Sequence, residues 1–322
     1  MRILVTGGRG FIGKNLIEHL SKKNFKIVSY DLKPPIESVS NRVEQVVGNI
    51  LDRERLLKAL EGCDAVVHLA ACSSVPACSR DVINCFETNV TGTAIVADCA
   101  SESGVKLFIY ASSASVYGST DKPVKMREDH PYNPLSFYAL SKVSSEEFLK
   151  LFSKLRGLPT VILRIANPCG KYQDKGIVYD VVRSLVKSGI FRGRGSGDQT
   201  RSYIHTSDLS EAFRIVLESR PAKMFELYNL GNIDYLSARE VADAVRQVIC
   251  PWATISFVER TWEGDAEHCV LDSSKFFEEF GWRPKLNSLK AVKRAAKEIC
   301  KEFTRTTGAS SRRSLLSLMR RR

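Results

Sequence analysis

The chain has 322 residues, of which 43% are hydrophobic and 26% charged, and its formal net charge is +12. It exceeds the roughly 150 residues of an average domain, so one large domain or two closely joined domains are expected. Half of the net charge lies in residues 304–322, which hold six arginines and no acid. The moderately basic body that remains suits a substrate bearing phosphates and does not call for a nucleic acid as partner.

Nine cysteines are scattered along the chain and are never spaced as CxxC. This usage argues against a zinc site and against a disulfide framework, and it favours a reducing compartment. A strand pattern begins within two residues of the amino terminus, and no apolar run approaches the ~20 residues of a membrane span. We therefore expect a cytoplasmic protein with no signal peptide, no membrane span and no bound metal.

Residues 1–16, MRILVTGGRGFIGKNL, combine a short apolar strand, a glycine-rich turn and the start of a helix. Gly7 suits a tight turn, Gly10 lets a diphosphate approach the backbone, and Gly13 lets the helix lie close to the sheet. The free amides at the start of that helix then face an anion. The next predicted strand ends at Asp31, whose carboxylate can bind the ribose diol of NAD and would repel the extra phosphate of NADP. The alternative is a structural turn that binds no nucleotide.

Strand and helix patterns alternate through the first half of the chain. Apolar strand-like runs occur at residues 2–6, 26–30, 43–47, 65–70, 105–111 and 160–165. Helical patterns occur between them at residues 13–22, 53–61, 84–103 and 138–156. This alternation of helices with almost continuously apolar strands predicts an α/β protein with a parallel sheet covered on both faces, the doubly wound Rossmann architecture.

After residue 166 the pattern becomes irregular, with glycine-rich loops and helices predicted at residues 177–188, 237–249, 273–280 and 288–303. Ser237 and Glu240 form a capping-box pattern at the start of one helix. Gly281 and Pro284 are typical of the end of another.

We expect two domains and a tail. Residues 1–166 are predicted to form an NAD-binding Rossmann domain, to which residues 201–232 partly return, and residues 167–303 a smaller C-terminal α/β substrate domain over the carboxyl ends of the strands. The basic residues 304–322 are predicted to be disordered. Their Leu/Met cluster between arginines leaves contact with an anionic surface or a partner as an alternative.

A second group of polar residues follows the predicted fifth strand. Ser113 lies just past its end, and Tyr138 and Lys142 are four residues apart in a helical pattern. Four helical residues turn about 400° and rise about 6 Å, so the phenol and the ammonium share one face. An ammonium, together with the positive ring of an oxidised nicotinamide, favours tyrosinate and lowers the usual pKa of ~10, so that Tyr138 can act as a general base. Taken singly, these patterns are also common on solvated helices and turns.

Seven motifs occur in a fixed order along the chain: TGGRGFIG (6–13), HLAA (68–71), NVTGT (89–93), SSASVYG (112–118), YALSK (138–142), LRIAN (163–167) and RSYIHTSDL (201–209). Together they resemble the extended short-chain dehydrogenase/reductase family of nucleotide-sugar epimerases and dehydratases. The resemblance covers about residues 1–303 and leaves out the tail.

The resemblance implies NAD as cofactor and assigns residues to it. By this resemblance, Asn49 and Ile50 contact adenine, although the family usually has Asp in place of Asn49. Asn89 fixes the cofactor loop, and Lys142 binds the nicotinamide ribose. The full cofactor set is Gly7, Gly10, Phe11, Ile12, Gly13, Asp31, Asn49, Ile50, Leu69, Ala70, Ala71, Asn89, Tyr138 and Lys142.

The resemblance likewise implies a UDP-sugar substrate and a catalytic set of Ser113, Tyr138 and Lys142. The substrate-binding residues are Ser113, Tyr138, Asn167, Arg201, Asp265 and Cys269. The fork of Arg201 suits a phosphate, and a surface ion pair is its alternative.

One position departs from the family pattern. Trp262 stands where the family has a phosphate-binding arginine. Either Arg260 supplies the charge or the indole packs against the nucleotide. Archaeal-type members of the UDP-glucose 4-epimerase group are similar in having Trp here, which makes them the nearest resemblance.

The residues of the turn after the fifth strand indicate which of the family's reactions to expect. Family members that eliminate water resemble a Thr-Asp-Glu sequence, whereas Ser113, Ala114 and Ser115 stand here. The resemblance therefore implies an NAD-dependent isomerase of carbohydrate metabolism, a UDP-hexose 4-epimerase that interconverts UDP-glucose and UDP-galactose through a 4-keto intermediate. The alternatives are another nucleotide-sugar oxidoreductase of the family and a non-catalytic dinucleotide-sensing protein.

Two further expectations follow from the resemblance. Cys269 matches a position beside the sugar C2 substituent, where a small residue leaves room for the N-acetyl group of UDP-GlcNAc and UDP-GalNAc. An ordinary buried cysteine is its alternative. The long helices predicted at residues 84–103 and 138–156 pair in relatives into a four-helix interface, so a homodimer is expected.

Overall fold

The computed structural model describes residues 1–35, 40–219, 223–258 and 266–306. Its central sheet has seven strands, β1 (Arg2–Thr6), β2 (Lys26–Asp31), β3 (Val43–Val47), β4 (Ala65–His68), β5 (Leu107–Ser113), β7 (Thr160–Ile165) and β12 (Phe225–Leu230). Their order across the sheet is β12-β7-β5-β4-β1-β2-β3, and every neighbouring pair is parallel. Strands β4 and β7 are buried at every position because helices cover both faces.

The order of the strands reverses between β1 and β4, where an open parallel sheet binds ligands at the carboxyl ends of its strands. The structure thus confirms the predicted doubly wound Rossmann architecture. Most predicted strands and helices of the first half match to within a few residues, because their apolar periodicity reflects real burial.

Helices from both halves of the chain cover the sheet. One face is covered by α1 (Phe11–Leu20), α8 (Thr206–Ser219) and α10 (Ser274–Phe280), which contribute Leu16, Phe213 and Phe276 to one core. The other face is covered by α2 (Arg53–Leu60), α5 (Gly92–Glu102) and α6 (Phe137–Arg156). Helix α10 follows the predicted domain boundary in sequence, yet it packs on the large sheet.

The helix predicted at residues 84–103 is present in the structure, with a π-helical segment inside it. After α3 (Val75–Arg80), helix α4 (Val82–Phe86) runs into a π-helical segment, Glu87–Thr91, before α5 begins. Asp81 caps α4 with its side chain and interrupts the helix before it. The apolar periodicity therefore predicts the helix correctly but does not reveal the π-helical segment within it.

A second core lies among three helices of the later chain: α7 (Ile177–Ser188), α9 (Ala238–Ile249) and α11 (Ser288–Thr306). The predicted capping box of Ser237 and Glu240 is present at the start of α9. Gly281, at φ +58°, ends α10 as predicted. Helix α11 continues to Thr306, so the first three residues of the predicted disordered tail are helical; residues 307–322 lie outside the described chain.

Eight short strands form three smaller sheets in the described part of the chain. They are β6 (Lys125–Met126), β8 (Asn167–Cys169), β9 (Ile190–Arg194), β10 (Thr200–Arg201), β11 (Tyr203–His205), β13 (Leu236–Ser237), β14 (Thr254–Val258) and β15 (His268–Leu271). Four of them form a small sheet in the order β13-β10-β15-β6. No helix within the described ranges is both long and apolar enough to cross a bilayer. The division into domains at residue 166 stays a prediction.

Candidate active site at the switch point of the sheet

The glycine-rich turn after β1 packs closely against neighbouring backbone. Gly7 adopts φ +67°, and a Cβ there would lie 2.7 Å from the amide nitrogen of Ala70. A Cβ on Gly13 would lie 2.3 Å from the carbonyl oxygen of Gly7, so a side chain at either position would displace backbone. Helix α1 starts directly after Gly10 and has no side-chain cap, so its first amides are free to bind an anion. This cradle fits a diphosphate.

Asp31 ends β2 beside the turn. One carboxylate oxygen accepts a hydrogen bond of 2.8 Å from the backbone amide of Arg9, and the other accepts one of 3.0 Å from the amide of Lys33. The carboxylate is thereby held against the glycine turn, where an acid in a dinucleotide site meets a ribose. Asn49 and Ile50 follow β3 at the neighbouring strand end, and Ile50 is buried.

Buried hydroxyl and imidazole groups join the ends of β1 and β4. The Thr6 hydroxyl lies 2.6 Å from Nδ1 of His68, and Nε2 of His68 lies 3.0 Å from the Thr93 hydroxyl. Burial, together with the positive charge of Lys142, lowers the pKa of His68 to about 3, so the imidazole is neutral. The amides of Leu69 and Ala70 also donate to Thr6 Oγ1, at 3.2 and 3.3 Å.

Asn89, in the π-helical segment, connects the loop after β4 to helix α6. Its Oδ1 accepts from the amide of Cys72 at 2.7 Å, and its Nδ2 donates to the Cys72 carbonyl at 3.1 Å and to the Ser141 hydroxyl at 2.9 Å. Ser141 Oγ in turn donates to the carbonyl of Tyr138 at 2.7 Å. The segment of Ala70 and Ala71 is thus tied to the helix that carries Tyr138.

Tyr138 and Lys142 lie on the same side of α6, as their spacing predicts. Lys142 is buried, donates to the carbonyl of Ala111 at 2.8 Å and stacks 4.6 Å above the ring of Tyr110. Burial lowers the pKa of Lys142 to about 8. The Ser113 hydroxyl lies close enough to the Tyr138 phenol to lower its pKa.

The pKa of Tyr138 does not follow the sequence-based expectation. Burial raises the pKa of this phenol, which the Ser113 hydroxyl only partly offsets, and a negative charge on Cys72 would raise it further. Lys142 does not lower this pKa; its ammonium donates to the Ala111 carbonyl and lies over the Tyr110 ring. The sequence places both groups on one face but cannot show which neighbour the ammonium binds.

A buried ion pair that the sequence reasoning missed lies under the site. Glu146, one helical turn beyond Lys142, accepts from Arg164 Nη2 at 2.7 Å and from Nε at 3.0 Å, with both side chains at most 2% exposed. Ser112 donates to the same carboxylate, and Arg164 Nη1 donates to the Tyr117 hydroxyl at 2.6 Å. A charged residue inside the apolar strand LRIAN, and an acid continuing the four-residue spacing from Tyr138, are the signals that could have revealed it.

Residues from the later chain reach the turn that follows β5. The Ser115 hydroxyl donates to Ser113 Oγ at 2.9 Å, and the buried Cys269 Sγ lies 3.5 Å from the carbonyl oxygen of Ala114. Arg201 is opposite Cys269 in the register of β10 and β15. This small sheet therefore brings Arg201 and Cys269 to the catalytic candidate Ser113.

Arg201 hydrogen-bonds backbone at the start of β15. Its guanidinium donates to the carbonyls of Thr200 at 2.8 Å and Glu267 at 3.1 Å, and also to that of Ala266. Asn167 Nδ2 donates to the Ser202 carbonyl at 3.2 Å, one residue along the chain from Arg201. Arg260, Trp262 and Asp265 lie outside the described residues.

One cysteine pair forms a disulfide that the sequence analysis did not predict. Cys78 on α3 and Cys85 on α4 form a disulfide with a Cα–Cα distance of 5.0 Å. Seven residues along an unbroken helix would separate them by about 10 Å, but the break at Asp81 folds the two helices together. With Cys72 they form a group of three sulfurs that lie within 4.8 Å of one another, a metal-capable cluster in the described part of the chain that CxxC spacing could not reveal.

Known proteins share this arrangement over almost the whole chain. The model of the NAD dependent epimerase/dehydratase family matches residues 3–231. A Methanocaldococcus jannaschii protein provisionally named UDP-glucose 4-epimerase is 28% identical over 300 residues, which cover 91% of this chain and 96% of that protein. The dTDP-D-glucose 4,6-dehydratase of Homo sapiens is 31% identical over 316 residues, which cover 91% of this chain and 88% of that protein. The solved UDP-glucose 4-epimerase of Thermus thermophilus, in complex with NAD, aligns with a TM-score of 0.84 at 26% identity, covering 93% of this chain and 99% of that one.

We predict that Arg164→Met lowers the free energy of unfolding by about 3–5 kcal/mol, because it leaves the buried Glu146 carboxylate unpaired. Urea unfolding followed by circular dichroism measures the change. The matched control is Arg246→Met, which removes an exposed pair with Asp243 and should cost at most about 1 kcal/mol. An equal decrease in the free energy of unfolding in the two variants would show that the buried ion pair contributes no more than an exposed one.

Proposed function

The chain belongs to the NAD dependent epimerase/dehydratase family, and from this premise we propose that it is a UDP-hexose 4-epimerase interconverting UDP-glucose and UDP-galactose. The observation that carries the proposal is the turn of Ser113, Ala114 and Ser115. It offers two hydroxyls and no carboxyl group beside Tyr138. Loss of water from a sugar needs an acid and a base in addition to the group that handles the C4 proton, whereas epimerisation needs only that group.

In this proposal the cofactor lies between the glycine turn and helix α6. The Gly7–Gly13 cradle and the free amides of α1 bind the diphosphate, Asp31 binds the adenosine ribose, and Asn49 and Ile50 border the adenine. Leu69, Ala70 and Ala71, held by Thr6 and Asn89, line the middle of the cofactor with Phe11 and Ile12. When bound, NAD accepts a hydride from the sugar and returns it.

Three side chains perform the proton chemistry in the proposal. Tyr138 takes the proton of the C4 hydroxyl and later returns it, while Ser113 hydrogen-bonds the same sugar oxygen. Lys142 binds the nicotinamide ribose. A positively charged nicotinamide ring beside the phenol would favour tyrosinate and oppose the rise in the pKa of Tyr138 that burial causes.

The proposed substrate contacts come from the later chain. Arg201 binds the diphosphate through its forked guanidinium, Asn167 binds nearby, and Asp265 binds the uridine ribose. Anchoring through the nucleotide leaves the sugar free to turn, so that either face of the 4-keto intermediate can receive the hydride. The proximity of Arg201 to Cys269 and of Cys269 to Ala114 supports a sugar held over Ser113.

The direct test supplies UDP-galactose to the purified protein without added cofactor. We expect UDP-glucose to form until the two epimers reach equilibrium. Denaturing the protein should release NAD, which mass spectrometry identifies. The same protein is given dTDP-glucose, and formation of a 4-keto-6-deoxy sugar with loss of water would instead establish a dehydratase. NAD binding without turnover of either substrate would favour a sensor.

Tyr138→Phe should lower turnover by at least about 100-fold, because it removes the proposed general base. Bound NAD, measured in the same preparation by mass spectrometry, should be retained. The control Tyr235→Phe changes a partly exposed phenol just before β13, outside the candidate site, and it should keep most of the activity. Full activity in Tyr138→Phe would refute the assigned base.

We infer that UDP-GlcNAc and UDP-GalNAc are also accepted, because Cys269 leaves room beside the sugar. Cys269→Tyr should lower turnover of the N-acetylated pair relative to UDP-galactose by on the order of 10-fold or more. Cys269→Ser, which keeps the residue small, should leave the ratio of the two rates unchanged. A parallel loss on both substrate classes in the tyrosine variant would show that Cys269 does not select the substituent.

We propose that the protein forms a homodimer through α6 and the helices of residues 82–102. Four exposed apolar residues, Phe137, Leu140, Leu151 and Leu155, share the outer face of α6 at helical spacing, and Leu155 is 69% exposed. In sedimentation velocity the wild type should sediment as a dimer, and Leu151→Glu with Leu155→Glu as a monomer. Leu289→Glu, an exposed leucine of α11, is the control that should stay dimeric.

A further inference from the structure

The disulfide between Cys78 and Cys85 has no access to solvent, since both residues are 0% exposed. A small thiol or disulfide in solution cannot reach either sulfur while the fold is closed. Cys72 is the neighbouring sulfur, 3.5 Å from Sγ of Cys78, and it is a free, partly exposed thiol. Among the free cysteines of the described chain, only Cys300 is also partly exposed, and it belongs to the second core.

The surroundings of Cys72 favour reaction. It directly follows the cofactor-lining candidates Ala70 and Ala71 in the chain, and it is partly exposed. The ammonium of Lys175 donates to the hydroxyl of Ser73, the next residue, at 2.7 Å. A thiolate is the nucleophile in exchange with a disulfide.

We propose that Cys72, Cys78 and Cys85 form a thiol–disulfide exchange site, in which Cys72 is the point where small-molecule thiols and disulfides react. The Cys72 thiolate attacks Sγ of Cys78, so that the Cys72–Cys78 bond forms, the Cys78–Cys85 bond breaks, and Cys85 leaves as a thiolate that takes up a proton. This step changes no oxidation state. It transfers the disulfide from a buried pair to one that includes the accessible sulfur.

An external thiol completes the reduction. Its thiolate attacks Cys72, releases Cys78 as a thiolate and forms a mixed disulfide with Cys72; a second thiol then releases Cys72 and leaves as the small-molecule disulfide. Two external thiols are oxidised and one protein disulfide is reduced to two thiols. A small-molecule disulfide drives the same steps in reverse.

The site is connected to the catalytic helix through Asn89. Its Nδ2 lies 3.6 Å from Sγ of Cys85 and donates to the Ser141 hydroxyl on α6. Its side chain also accepts a hydrogen bond from the Cys72 amide and donates one to the Cys72 carbonyl. Exchange at the cysteines therefore changes the neighbours of the residue that ties the cofactor loop to Tyr138. A metal ion held by the same sulfurs is the rival occupant, but the structure joins two of the three as a disulfide.

The first experiment follows the oxidised full-length protein as reduced glutathione is added. Samples are alkylated at intervals, and mass spectrometry of the peptides measures the Cys78–Cys85 disulfide. In Cys72→Ser, and likewise in Cys72→Ala, we expect reduction to slow by about 10-fold or more, because the sulfurs then react only when the fold opens locally. Cys300→Ser, the partly exposed control, should match the wild type. Wild-type rates in both Cys72 variants would overturn the proposal.

The second experiment traps the exchanged pair. Reduced Cys85→Ser protein, treated with oxidised glutathione, should accumulate a Cys72–Cys78 disulfide, because the thiol that would release it is missing. Glutathione attached to Cys72 with Cys78 still free would overturn the proposal, and so would stoichiometric zinc in the purified wild type measured by elemental analysis. These readouts require no turnover, so they remain informative whatever the protein does to a nucleotide sugar.

Discussion

The buried ion pair of Glu146 and Arg164 is the interaction on which the candidate site depends. Removing two charges from water costs several kcal/mol each, and this cost is offset only when their remaining donors and acceptors are also satisfied. Here Ser112 and Tyr132 donate to the carboxylate, while Tyr117 and a backbone carbonyl accept from the guanidinium. The network fastens helix α6 to strands β5 and β7 at one register.

The position of α6 against these strands determines where its other side chains lie. Tyr138, Lys142 and Glu146 are spaced four residues apart, so they share one face of the helix. When Glu146 is held by Arg164, the side chains of Tyr138 and Lys142 therefore lie toward the switch point of the sheet. Asn89 fastens the same helix from its other side through Ser141. The reactive candidates thus lie on a rigid element held at two places, which suits groups that must meet a cofactor and a sugar in a defined geometry.

Much of this could be predicted from the sequence, and the exceptions have a common cause. The parallel sheet, the glycine turn, Asp31 and the shared face of Tyr138 and Lys142 all follow from local periodicity and from residue types at fixed spacing. The Cys78–Cys85 pair, the π-helical segment and the carbonyl partner of Lys142 depend on where the chain bends and on residues far away in sequence. The segment with Trp262 and Asp265 lies outside the described residues, so their predicted roles are untested.

The seven-stranded sheet also has a consequence for how the chain is made. Strand β7 pairs with β12, whose residues lie 65 positions further along the chain, and the core beneath the sheet includes Phe276 of α10. At typical rates of translation, roughly 3 to 13 seconds separate synthesis of these two strands. During that time β7 is an unpaired edge with apolar faces, which is the kind of surface on which nascent chains aggregate. The first half of the protein therefore cannot finish folding on the ribosome until most of the second half has been synthesised.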